Sequence, residues 1–137
     1  METLDAVVVG AEWGEGRRAE LFGTFLLAVR AEDIDRGADD PAPAGYATVG
    51  KVATGITDEA LADLTDRLEP LVVDETGTTV AFDPELVVEV GYEEIQTSPT
   101  YSAGYALRFP RFVGVREDKS VADADSLERI SRLAGDA

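Results

Sequence analysis

The sequence predicts an all-β fold with minor α content, a small barrel of five short strands. Three observations predict it. Short apolar runs rich in Val, Leu and Tyr recur between Gly- and Pro-containing breaks, as strands and turns do. Only one long segment, after the third run, switches to helical periodicity. The chain has 137 residues and 45% apolar content, which suits one domain burying roughly two thirds of its unfolded surface. The expected organisation is therefore a single domain, 1–137, with no internal repeats.

Each element follows in order. Leu4 to Gly10 (LDAVVVG) is a β-branched run bounded by a turn signal and reads as the first strand. Gly14 and Gly16 open a loop. Leu21 to Ala31 is the second strand, where Gly23 suggests a bulge or sharp bend of the kind small barrels need. Glu32 to Gly45 is acidic, carries Pro41 and Pro43, and reads as a loop. Tyr46 to Thr54 is the third strand. Thr57 is an N-cap, with Asp58 and Glu59 suited to the positive end of a helix dipole. Leu61, Leu64 and Leu68 line one face of that helix, and Pro70 ends it. Leu86 to Val90, continuing to Ile95, is the fourth strand. Thr97 to Ala103 is a loop. Tyr105–Phe109 and Phe112–Val115 form a fifth strand interrupted by Pro110. Leu127, Ile130 and Leu133 mark a short C-terminal helix. Five strands with a helix between the third and fourth is the layout of the OB-fold, a Greek-key barrel. An SH3-like barrel fits the strand count nearly as well.

Composition narrows the chemistry. There is no His, so no imidazole base, no Ser-His-Asp triad and no His-bound metal. There is no Cys, so no disulfide framework and no thiolate nucleophile. No apolar run reaches the ~18–20 residues needed to cross a bilayer. The acidic start Met1-Glu2-Thr3-Leu4-Asp5 is unlike a signal peptide. The 28 acidic and 12 basic side chains give a net charge of −16, which taken alone repels nucleic acid.

The cations, however, are unevenly placed. Lys occurs only twice, against ten Arg. Between Leu107 and Lys119 (LRFPRFVGVREDK) Arg108, Arg111, Arg116 and Lys119 face only Glu117 and Asp118. Arg forks suit phosphate oxygens, and Phe109 and Phe112 beside them could stack on a base or wedge into a groove. A strand with solvated Arg tips and buried Phe rings fits about as well, with at least one Phe in the core either way. Gly14-Glu15-Gly16-Arg17-Arg18 is a second basic point. It lacks the pattern of a phosphate-cradling loop and reads more simply as a turn. Lys51 reads as a surface residue from spacing alone, and Glu93-Glu94 as part of a solvated face.

These residues carry a resemblance. LDAVVVGAEWGEGRRAELFGTFLLAV, VGKVATGITDEAL and VVEVGYEEIQTSPTYSAGYALRFPRFVGVREDK are together similar to the C-terminal OB-fold domain of ATP-dependent DNA ligases of the archaeal and eukaryotic replicative type. The likeness covers nearly the whole chain, least so at Glu32–Ala44 and Glu75–Thr79. It implies an enzyme that seals nicks through a lysine adenylate, with ATP and Mg2+ as cofactors of the full-length protein. The reactive lysine of such ligases lies in a K-x-D-G motif of a nucleotidyltransferase domain. Neither Lys51 nor Lys119 stands in that motif, so the chain alone is expected to be inactive.

By the same resemblance, Arg111, Arg116, Asp118 and Lys119 form the motif that orients the ATP phosphates during lysine adenylation. Arg108 and Phe109 match the pair that presses on the minor groove at the nick. Arg17, Arg18 and Lys51 are candidate backbone contacts. Gly114 stands where eukaryotic relatives often carry another Arg, which thins the phosphate-binding cluster. Expected partners are nicked duplex DNA, the nucleotidyltransferase and DNA-binding domains of the same chain, and a sliding clamp. The domain is expected to be a monomer with no resident metal and no membrane contact. Two other readings compete: a stand-alone OB-fold module for single-stranded nucleic acid, and an acidic interaction domain. Neither explains why cations survive only at these places. Scarce Lys and abundant Asp and Glu suggest a salt-rich cytoplasm, as in haloarchaea, where at ~1 M salt the Debye length of about 3 Å screens surface repulsion.

Overall fold

The computed structural model of the chain describes residues 2–32 and 40–135, and for Arg18 the backbone only. Much of the expected acidic loop Glu32–Gly45 therefore lies outside the described residues. The chain is mostly β, with a curled, partly open barrel and two helices.

The spine is β1, Glu2–Trp13, whose residues Leu4 to Ala11 are all buried. Leu4, Ala6, Val8 and Ala11 face the main core, while Val7 and Val9 pack on Ala28 and Ala124 outside the barrel. Burial on both faces explains why this run is continuously apolar rather than alternating. One edge of β1 pairs with β2, Phe22–Arg30. The other edge is shared: Glu2 to Val7 pair with β6, Val87–Tyr92, and Gly10 to Glu12 with β5, Thr79–Phe82. That change of partner along one edge curls the sheet. β3, Tyr46–Val52, pairs with β2, and β9, Arg111–Val115, pairs with β6.

Bulges add to the curl. Glu12 faces Thr24 and Trp13 faces Phe22, so Gly23 is the extra residue, as its sequence position suggested. Val73 and Val113 are the skipped residues of β4, Val72–Thr76, and β9. Both are among the few large apolar side chains left exposed. The bulges account for that exposure, because they turn a side chain out of the alternation.

The helix α1, Asp58–Leu68, forms as its sequence dictates. Thr57 caps it by accepting from the Ala60 amide at 3.1 Å, and Leu61, Leu64 and Leu68 are buried. Pro70 falls in a short 3-10 turn directly after it. Thr65 is buried on α1, where its hydroxyl donates to Leu61 O at 2.8 Å and accepts from the Phe22 amide at 3.1 Å. This ties the helix to the start of β2. Thr65→Val should therefore cost about 1–2 kcal/mol by stranding the Phe22 amide, read from urea unfolding in molar KCl. At the C-terminus the expected short helix is α2, Leu127–Leu133, which buries Ile130 and leaves Leu133 exposed.

The strand count differs from five. Nine strands are present among the described residues, for two reasons. The acidic hairpin β4–β5 turns at Gly77, in left-handed conformation at φ 62°. Its first strand is almost wholly exposed and so carries no apolar alternation to read. The last two expected strands each break in the middle. β6 gives way to β7, Glu94–Thr97, at Glu93, whose amide turns to Arg108 O. β8, Tyr105–Arg108, ends before Phe109-Pro110, where Pro has no amide to donate. β7 and β8 pair with each other and close against β3 through Thr48, whose amide and hydroxyl bond Ser102.

Candidate functional site

The β8–β9 turn is an exposed tip. Phe109 is 70% exposed and adopts φ 53°, the one positive φ at a non-glycine residue among the described residues. An exposed ring on a left-handed backbone pays twice, and such outliers cluster at functional positions. Arg108 lies over the Phe109 ring at 5.0 Å, and its Nη1 donates to Gln96 Oε1 at 2.7 Å. Gln96 in turn bonds Glu94. Phe112, by contrast, packs against the core. The two rings thus divide, one outward and one inward.

Gly55 holds β9 in place. Its φ is 87°, and a Cβ there would stand 2.9 Å from Phe112 O. The close approach lets the Phe112 amide bond Thr54 O at 2.8 Å. Arg111, next to it, is exposed and forms no side-chain ion pair among the described residues.

At the far end of β9 a second constellation forms. Arg116 Nη1 reaches Asp5 Oδ1 at 3.1 Å, and Lys119 Nζ reaches Asp5 Oδ2 at 2.5 Å. The Asp5 side chain is only 12% exposed and sits in the N-terminal half of β1. Its amide is bound by Asp125 Oδ2 at 2.7 Å, and Asp125 pairs with Arg129. Arg116 also meets Asp118, an exposed carboxylate, at 3.3 Å. That bond is the main cause holding the Asp118 carboxyl below its usual range. It also raises Arg116 above the ordinary guanidinium value, with the Asp5 charge acting in the same sense. Asp5, Arg116, Lys119, Asp125 and Arg129 border a depression of about 340 Å3 that Glu89 also lines. Glu117 points the other way, to Arg67 of α1 at 2.6 Å. That pair, then Asp63, raises Arg67. The Arg116–Lys119 turn is thereby fastened on both flanks.

The remaining cations lie apart. Lys51 pairs with Glu12 at 3.1 Å, near the opposite end of β1 from Asp5. Arg17 is exposed in a one-turn 3-10 helix with no ion pair among the described residues, and the Arg18 side chain lies outside the description. So Arg108 and Phe109 are joined with Arg111 nearby, and Arg116, Asp118 and Lys119 are joined, but the two groups are separate. Arg111 and Arg116, five residues apart along an extended strand, stand roughly 16 Å from each other. A side chain at Gly114 would meet open space, so sterics do not explain its lack of a longer residue. Sequence reasoning passed over Asp5, Gln96 and Arg67. Asp5 had a signal: a lone carboxylate inside a buried apolar run requires a cation.

The architecture is that of an OB-fold domain, and its free Arg–Phe tip and its paired Arg and Lys are groups suited to phosphate-bearing ligands. Comparison with known proteins agrees. A family model described as the ATP dependent DNA ligase C terminal region matches residues 18–119. The DNA ligase of Halorubrum lacusprofundi is 74% identical over 99% of this chain and 21% of that protein. That of Haloferax volcanii is 65% identical over 98% and 22%, and that of Thermococcus fumicolans 54% identical over 98% and 22%. The crystal structure of the ligase domain of M. tuberculosis LigD superposes with a TM-score of 0.69 at 27% identity, covering 90% of this chain and 38% of that one. A mycobacterial DNA ligase D complexed with ATP and MES gives 0.64 at 25% identity, covering 91% and 38%. The chain belongs to the family of ATP-dependent DNA ligase C-terminal regions. It spans about a fifth of the length of the curated relatives it matches.

Proposed function

We propose that this chain works as the OB-fold domain of a ligase that seals nicks in duplex DNA, with its two constellations serving two steps. The observation that carries the reading is the Arg108–Phe109 tip, where an exposed ring is kept on an unfavourable backbone. A ring so placed can wedge into a minor groove while Arg108 contacts the sugar-phosphate edge. Arg111, expected with the ATP-orienting motif, starts β9 beside the tip rather than beside Arg116, and in this reading it and Arg17 add unpaired charge for phosphates, with Lys51 and Arg18 as secondary candidates.

The Arg116–Lys119 pair serves lysine adenylation in this reading. Lys119 retains ammonium donors beyond its bond to Asp5, and Arg116 retains guanidinium donors beyond Asp5 and Asp118. The residues thus fit a triphosphate, and they act by positioning and charge neutralisation. ATP supplies the adenylyl group when bound. Among the described residues no three acidic side chains converge as a cation cage, so Mg2+ would be carried with the nucleotide and held by the rest of the ligase. The reading of a stand-alone single-strand binder is weaker. It wants several stacking platforms, and Phe109 is the one aromatic among the large exposed apolar side chains described.

Around Arg116 and Lys119 the carboxylates of Asp5, Asp118, Asp125 and Glu89 outnumber the cations. The chain alone should therefore bind nicked duplex weakly, and, with neither lysine in a K-x-D-G motif, should show no AMP attachment and no sealing. Tight binding at molar KCl, read by fluorescence anisotropy, would contradict this. Its thermal midpoint should rise from low salt to molar KCl as surface repulsion is screened. A midpoint unmoved by salt would argue against a salt-adapted surface.

A further inference from the structure

The geometry points to Asp5 as a positioning residue for the adenylation step, an inference that rests on the proposed role of Arg116 and Lys119. Three features carry it. The Asp5 carboxylate is nearly enclosed, and each of its oxygens takes one of the two cations. Asp5 stands on the central strand, and its backbone is fixed on both sides: its amide is bound by the Asp125 carboxylate and its carbonyl by the Asp125 amide. Arg116 and Lys119 stand at the two ends of the turn that follows β9; its backbone is held by the Arg116 amide on Val87 O and the Lys119 amide on Arg116 O, but both side chains are long flexible stems. Without an anchor such side chains sample many rotamers, and ordering them would be charged against ligand binding.

Asp5 removes that cost beforehand. It holds a guanidinium and an ammonium on the two oxygens of one carboxylate, each with donors to spare. Asp118 has a different part. It is 70% exposed and meets Arg116 only at 3.3 Å, so it is the partner that an incoming phosphate displaces. Asp5 stays.

The test uses an intact ligase containing this chain, with AMP attachment to lysine followed against ATP concentration. Asp5→Asn should raise the KM for ATP about tenfold, with a smaller change in the saturating rate and none in sealing of a pre-adenylated nick. In an Arg116→Ala, Lys119→Ala background the same substitution should add nothing, because no cation remains to be held. A merely structural role would add its effect in that background too, and that result would overturn the inference. An unchanged or lowered KM for Asp5→Asn alone would overturn it as well. If the Asn variant does not fold in molar KCl, Asp5→Glu takes its place: it keeps the charge one methylene further out and should raise KM by a smaller factor, an unchanged KM counting against. The two levels separate cleanly. Adenylation unaffected by Arg116→Ala sinks the parent reading, whereas adenylation sensitive to Arg116→Ala and insensitive at Asp5 sinks this inference alone.

Discussion

Phe109→Gly should yield a more stable fold than Phe109→Ala and, in an intact ligase, an equally poor sealing enzyme. Both substitutions remove the ring. Only glycine relieves the left-handed backbone at φ 53°, where any Cβ crowds the neighbouring carbonyl at a cost of about 1–2 kcal/mol. Discounting the entropy that glycine adds to the unfolded chain, the Gly variant should exceed the Ala variant by about 1 kcal/mol, a midpoint difference of about 3–4 °C for a chain of this size. Sealing of a pre-adenylated nick should fall at least about tenfold in both, because the groove loses its wedge. Lysine adenylation should stay within about twofold of the parent. Adenylation abolished by Phe109→Ala would mean that the tip and the Arg116–Lys119 turn do not serve separate steps. Equal stabilities for the two variants would mean that the backbone at 109 relaxes once the ring is gone.

Removing both partners of Asp5 should have the other large effect. In the Arg116→Ala, Lys119→Ala double variant, lysine adenylation should fall about a hundredfold, the scale seen when a preorganised charge is lost from a transition-state site. Stability should fall too. A carboxylate that is 12% exposed would be left without either cation. Breaking a buried pair costs roughly 3–5 kcal/mol, and the residual exposure here brings that to about 2–3 kcal/mol. Salt should rescue little of it, because an enclosed pair is screened less than a surface one. Asp118→Ala is the control. That carboxylate is 70% exposed, and its loss should leave the urea midpoint nearly unchanged, as for other solvated ion pairs. Unfolding in urea at molar KCl measures all three.

The helix and the tip show how far local sequence carries. Thr57, the three leucines at helical spacing and Pro70 act within a few residues, so α1 was legible from its first cap to its last turn. Gly23 was legible as a bulge because a glycine inside a strand has few other uses. Of Phe109 and Phe112 the sequence said only that at least one lies in the core, without saying which or whether both. Their assignment depends on Gly55, more than fifty residues earlier, whose missing side chain lets β9 dock and turns Phe112 into the core. The hairpin's first strand, β4, was not legible, because a strand with both faces in water has no apolar alternation; its partner β5 does alternate, burying Val80 and Phe82, but over four residues only.

The sequence by itself determined the barrel class, the capped helix and the concentration of cations in two short segments, since each of these follows from local periodicity or composition. Only the tertiary structure decided how those cations are used. It separated Arg108 and Phe109 from Arg116 and Lys119 by the length of a strand, and it tied Lys51 to Glu12. It also brought Asp5 against residues 111 and 114 positions later in the chain. The physical reason is that an ion pair depends on which strand edges meet. Here that was set by β1, which changes partner along one edge and so places its lone buried carboxylate beside the end of β9.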